Sequence, residues 1–149
     1  MTLEEEAKRN FNSGYNCAES VLLAVTKCQD SVRQGSELLL PRIATGFGGG
    51  IARNGDICGA LAGAIMAISL AFGRDKPEES RDPCYQAVDR LYNDFMKTFG
   101  TCRCRELIGI DLKNQAGREA VLNTIHRELC NPMVTWATRK AHEIIQEAS

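Results

Sequence analysis

Seven cysteines stand among the 149 residues, and no other side chains here offer as much chemistry. A thiolate is a nucleophile, a redox centre and a soft metal ligand, and it becomes available where its surroundings lower the thiol's pKa. Four positions point that way. Cys17 follows Asn16, a good helix N-cap, and Cys58 lies two residues after Asp56, another. Cys104 comes three residues after Thr101, and Cys130 immediately precedes Asn131-Pro132, a pair that opens helices. At a helix start, free backbone N–H groups and the positive end of the macrodipole favour a charged sulfur. Such a setting draws a thiol from about 8.5 toward neutrality. Asp82-Pro83-Cys84 also resembles a helix start, Cys102 shares the turn of Cys104, and Cys28 reads as a plain core cysteine deep in its helix. Any one of these residues would serve equally well as a small buried hydrophobe. Several in one setting turn the reading toward cysteine chemistry.

The compartment matters to what thiols can do. The start, Met1-Thr2-Leu3-Glu4-Glu5-Glu6, is acidic and unlike a secretory signal or transit peptide, so a reducing cytoplasm is expected. A static disulfide framework is not expected there, and the odd count forbids complete pairing within one chain. Metal ligation, redox exchange and buried packing remain. Lys plus Arg number 18 against 19 Asp plus Glu, a formal charge of −1, which removes the electrostatic footprint of a nucleic-acid or anionic-membrane binder. Ile57 to Phe72 carries no charge, but it falls short of the roughly 20 residues a membrane span needs and reads as a buried central helix.

The elements that must position the thiols read as helices throughout. Thr2 and Glu5 form a capping-box pair ahead of Leu3, Ala7 and Phe11, and Gly14 supplies the stop. The next helix puts Cys17, Val21, Ala24, Val25 and Cys28 on one face, and a short one lies around Leu38 to Thr45 with Pro41 near its start. Gly46-Phe47-Gly48-Gly49-Gly50 must be a loop. Asp56 then caps the apolar helix from Ile57 to Phe72, ended by Gly73, and residues 74–83 connect onward. A longer helix turns Val88, Leu91, Tyr92, Phe95 and Phe99 inward and stops at Gly100. Cys102 to Ile108 is a short helix, Val121, Leu122, Ile125 and Leu129 mark another, and the last buries Val134, Ala137, Ala141 and Ile144. The reading is an all-α single domain over residues 1–149, a bundle of about five to seven helices around a Gly/Ala-rich central one. Gly59 and Gly63, with Ala60, Ala64 and Ala67, give that helix small faces that let neighbouring backbone approach.

The order Cys17, then Cys58-Gly59-Ala60-Leu61-Ala62-Gly63, then Cys104, then Cys130 resembles the C-GCAxxG-C-C family of redox-active proteins. Gly14-Tyr15-Asn16-Cys17-Ala18, the Gly46–Gly50 run, and Cys104-Arg105-Glu106-Leu107 with Gly109 and Asp111 agree with it. The resemblance runs over nearly the whole chain and implies four family cysteines, Cys17, Cys58, Cys104 and Cys130, with Cys28, Cys84 and Cys102 additional. The family is also similar to the non-haem part of split-Soret cytochromes c. This chain has no C-x-x-C-H, so covalent c-type haem is not expected, and Cys102-Arg103-Cys104 is C-x-C rather than a thioredoxin-like C-x-x-C.

Three schemes fit four gathered thiolates: an iron–sulfur cluster, a closed tetrahedral zinc, or a dithiol–disulfide pair. The glycine loop lacks a Walker lysine and a dinucleotide fingerprint and reads as a segment that lets backbone approach Cys58. His126 shares a helical spacing with Cys130 as an extra ligand candidate, His142 reads as exposed, and Arg53 and Asp56 flank Cys58 with opposite effects on a thiolate. The expectation is a cytoplasmic redox protein, an oxidoreductase in one form, whose four cysteines converge with Cys58 foremost. It would work with a redox partner or a small-molecule thiol or electron donor, and an apolar helix face could pair it as a homodimer. The alternative is a non-enzymatic zinc-binding or interaction module, accessory to a transporter or electron-transfer system.

Overall fold

A computed structural model describes residues 1–29, 39–120 and 128–148. Eight α-helices and no strand occur among them: α1 (Leu3–Asn12), α2 (Cys17–Thr26), α3 (Leu40–Ala44), α4 (Gly59–Phe72), α5 (Asp82–Phe99), α6 (Cys104–Ile108), α7 (Gln115–Ala120) and α8 (Asn131–Glu147). The fold is all-α, with α1, α2, α4, α5 and α8 as its long members. The expected helix through Val121, Leu122 and Ile125 and the candidate ligand His126 lie outside the described residues.

Local sequence explains most boundaries. Thr2 and Glu5 exchange the two bonds of a capping box at α1, and Asn16 and Glu19 do the same at α2. Gly100 closes α5 in the left-handed conformation, and Gly109 closes α6 likewise. Helix α4 is the centre, packed against α2, α5 and α8, with Ala60, Leu61, Ala64, Ala67 and Ile68 fully buried. On its far side α5 and α8 meet through Phe95, Phe99 and Trp136, whose ring centroids lie 4.7, 5.5 and 5.6 Å apart. No described helix is long and apolar enough to cross a membrane.

Four expectations change. Helix α4 begins at Gly59 with Cys58 as its N-cap, because residues 56–58 are extended and pair with another segment, so Asp56 does not cap it. Cys28 is exposed rather than a core cysteine: α2 ends at Thr26, whose hydroxyl donates to the Leu22 carbonyl oxygen. Tyr92 stays 40% exposed instead of facing the core, and His142 is half-buried instead of exposed.

Candidate functional site

The resembling cysteines occupy equivalent places on four different helices. Cys17 is the first residue of α2 and Cys104 the first of α6. Cys58 is the N-cap of α4 and Cys130 the N-cap of α8, reached through a π-helical turn at residues 128–130. Backbone N–H groups reach sulfur at two of these starts, those of Ala60 and Leu61 at Cys58 and that of Cys17 at its own sulfur.

Close backbone packing brings the starts of α2 and α4 together. A methyl group at Gly63 would overlap the Ala18 carbonyl oxygen, and one at Gly59 would sit 3.3 Å from the Cys17 sulfur. Cys58 and Cys104 are joined by an antiparallel bridge between Ile57 and Arg103. The Cys58 N–H donates to the Cys102 carbonyl at 2.7 Å, and the Cys104 N–H donates to the Asp56 carbonyl at 2.7 Å. Asn16 ties the third segment in, its side-chain amide donating to the Thr45 carbonyl at 2.9 Å while its oxygen caps α2.

The glycine loop is more unusual than a flexible connector. After a 3-10 turn at Thr45–Phe47, five consecutive residues from Gly49 to Arg53 have φ between +47° and +69°. Three of them, Ile51, Ala52 and Arg53, carry side chains, and left-handed geometry costs about 1–2 kcal/mol for each such residue. The turn is held by its own bonds, Ala52 N–H to the Gly46 carbonyl at 2.9 Å and Asp56 N–H to the Gly50 carbonyl at 2.9 Å. Gly50 is where it touches the thiols: a Cβ there would lie 2.7 Å from the Cys104 Cβ. Strain of this kind persists only where surrounding structure over-determines it.

The four thiols feel one another. Burial pushes the Cys17 thiol well above its ordinary range, and charge on Cys58, Cys130 or Cys104 pushes it further. Burial raises Cys58 as well, partly offset by the N–H groups of Leu61 and Ala60 at the start of α4, and charge on Cys102 raises it. Cys104 is pushed up to about 11 by burial and then by Cys58. Cys130 is pushed up to about 12 by burial and then by Cys104 and Cys58. Every pair among the four is thus within electrostatic reach.

This reverses one expectation. The helix starts were expected to draw the thiols toward neutrality, but with Cys58, Cys104 and Cys130 only 4%, 9% and 8% exposed, desolvation outweighs the dipoles. The metal-free site is a set of protonated thiols near neutral pH. A bound cation reverses that balance, since a coordinating thiol is deprotonated outright. Four sulfurs fit an iron–sulfur cluster or a tetrahedral ion in kind and number. Among the described residues, however, no group of three ligating side chains is already placed to hold an ion, and all seven cysteines are free.

Other candidates stand apart. Cys28 is exposed, and Cys84 on α5 meets the Ser69 hydroxyl at 3.7 Å beside the far end of α4. Arg53 is exposed on the left-handed turn. Sequence reasoning placed Cys102 only near Cys104. Its contribution at Cys58 follows from the bridge, for which the C-x-C alternation was the available signal.

The fold and site define an all-α protein with four thiols at helix starts, three of them buried and Cys17 half-buried. Residues 15–144 match the family described as "Putative redox-active protein (C_GCAxxG_C_C)", and the chain belongs to it. It is also 30% identical over 141 residues to a protein of Archaeoglobus fulgidus described as "Uncharacterized protein", covering 85% of this chain and 91% of that one. No solved structure matches.

Proposed function

We propose that this is a cytoplasmic electron-transfer protein whose Cys17, Cys58, Cys104 and Cys130 ligate one redox-active metal centre of the iron–sulfur type. The observation that carries the reading is the setting of the four sulfurs, each at a helix start, buried or, for Cys17, half-buried, and within electrostatic reach of the other three. Helix-start N–H groups stabilise thiolate charge once a metal has displaced the protons. The raised pKa values of Cys17, Cys104 and Cys130 speak against any of these three serving as the attacking thiolate of a dithiol exchange at neutral pH.

When bound, such a centre would supply one-electron chemistry. The chain's own part is to hold the sulfurs, exclude water and set the local charge. Cys58 and Cys104 are fixed to each other by the Ile57–Arg103 bridge, and Cys17 is fixed to Cys58 by the Gly59 and Gly63 contacts. The left-handed turn brings Gly50 backbone against Cys104, where a side chain would intrude. The physiological partner on this reading is an electron donor or acceptor.

Cys58→Ser tests the assignment. The variant is expected to keep its helical circular dichroism while losing iron, sulfide and the associated visible absorption. Undiminished metal and unchanged reversible redox behaviour in that variant would overturn it.

A further inference from the structure

A fifth thiol sits at the same site without a part in it. Cys102 is half-buried, two residues before Cys104 on the segment that pairs with residues 56–58. The bridge from Ile57 to Arg103, with the Cys58 N–H donating to the Cys102 carbonyl at 2.7 Å, sets Cys102 directly opposite Cys58. Opposed residues of an antiparallel pair project to one face. Their Cα atoms lie about 4.5–5.5 Å apart, inside the roughly 4.4–6.8 Å that a disulfide spans.

We propose that Cys58 and Cys102 form a reversible disulfide under oxidising conditions, which withdraws Cys58 from the four-thiol set. The consequence for the centre rests on the ligand reading above. The disulfide itself does not.

Exposure sets the order of events. Cys102 is half-buried whereas Cys58 is 4% exposed, so an oxidant from solvent meets Cys102 first. With hydrogen peroxide as oxidant, the Cys102 sulfur attacks one peroxide oxygen, the O–O bond breaks, the departing hydroxide leaves as water with the thiol proton, and Cys102 becomes a sulfenic acid. The Cys58 sulfur then attacks the Cys102 sulfur, the S–O bond breaks, and water leaves. In sum, two thiols and one peroxide give one disulfide and two waters. A dithiol reductant reverses the bond, itself becoming a disulfide. Three cysteines, Cys17, Cys104 and Cys130, then remain for the centre, which holds it poorly or not at all.

Peptide mapping tests this cleanly, because trypsin separates the three sulfurs. Cleavage after Arg53, Arg74, Lys97, Arg103 and Arg105 leaves Cys58 in residues 54–74, Cys102 in 98–103 and Cys104 in 104–105. The full chain, purified without oxygen, is treated with a small excess of hydrogen peroxide, alkylated, digested and analysed by mass. The expected product is the 54–74 peptide linked to 98–103, with two of the seven thiols lost and both recovered by dithiothreitol. In Cys102→Ser the link is absent and Cys58 is recovered alkylated and unlinked once the protein is denatured and stripped of metal. A Cys58 link to Cys17, Cys104 or Cys130 instead, or Cys102 driven to sulfinic acid while Cys58 stays free, would overturn the proposal. Metal and sulfide analysis of the untreated protein separates the two ideas. Cluster-free protein that forms the link keeps the disulfide and removes the ligand reading, and cluster-containing protein without the link does the reverse.

Discussion

The two ends of α4 solve different problems with the same helix. At its C-terminal end the packing is ordinary. Ile68 is fully buried, and Cys84 on α5 rests beside Ser69 at the start of its own helix. At its N-terminal end Leu61 stands among small residues, Gly59 and Gly63 admit the backbone of α2, and a left-handed turn presses Gly50 against Cys104. Both ends hold a cysteine at a helix start, yet only Cys58 lies among other thiols. A helix start alone therefore does not define a site here. What distinguishes Cys58 is the backbone packing that gathers sulfur around it.

Substitutions should separate the two ends. The largest stability loss is expected from Phe95→Ala, which empties a fully buried ring site and costs about 3–5 kcal/mol. Denaturant melts should show it, while metal binding by the folded fraction stays unchanged. Alkali should act on the thiol end. Thiols raised in the folded state favour the protonated fold, so the metal-free protein is fully stabilised below the unfolded thiol pKa. It then loses stability as pH rises through about 11 for Cys104 and about 12 for Cys130. The slope approaches ~1.4 kcal/mol per pH unit for each thiol involved. Cys130→Ala should flatten that decline in melts from pH 8 to 11, and an unchanged slope would show that Cys130 is not the buried group responsible.

Smaller effects sharpen the contrast. Gly63→Ala drives a methyl into the Ala18 carbonyl and should cost about 1–3 kcal/mol. Because it parts α2 from α4, it should also lower metal retention, which Phe95→Ala does not. Cys28→Ser, on an exposed side chain, should stay within ~0.5 kcal/mol and leave metal content unaltered.

Much of this was legible in the chain because it is local. The capping boxes at Thr2 and Asn16, the stop at Gly100, and Asn131-Pro132 after Cys130 are all signals within one helical turn. The inward set Val134, Ala137, Ala141 and Ile144 follows from helical period alone. Long-range contacts account for the rest. Asp56 has the chemistry of a cap, but its carbonyl is engaged by the Cys104 N–H and α4 starts two residues later than the local signal implies. A β-branched residue such as Ile51 at φ +65° contradicts local preference, and only the surrounding bonds from the Gly46–Gly50 segment hold it there. The thiol pKa values went the other way for the same reason: helix starts are visible in sequence, and the burial that outweighs them arises from packing.

The most direct test of the central claim is a combined count of iron, acid-labile sulfide and reactive thiols on protein purified without oxygen. The account predicts iron and sulfide in near whole-number ratio to chain. It also predicts that Cys17, Cys58, Cys104 and Cys130 resist alkylation until the metal is removed. Metal-free protein, or zinc without sulfide, would contradict it.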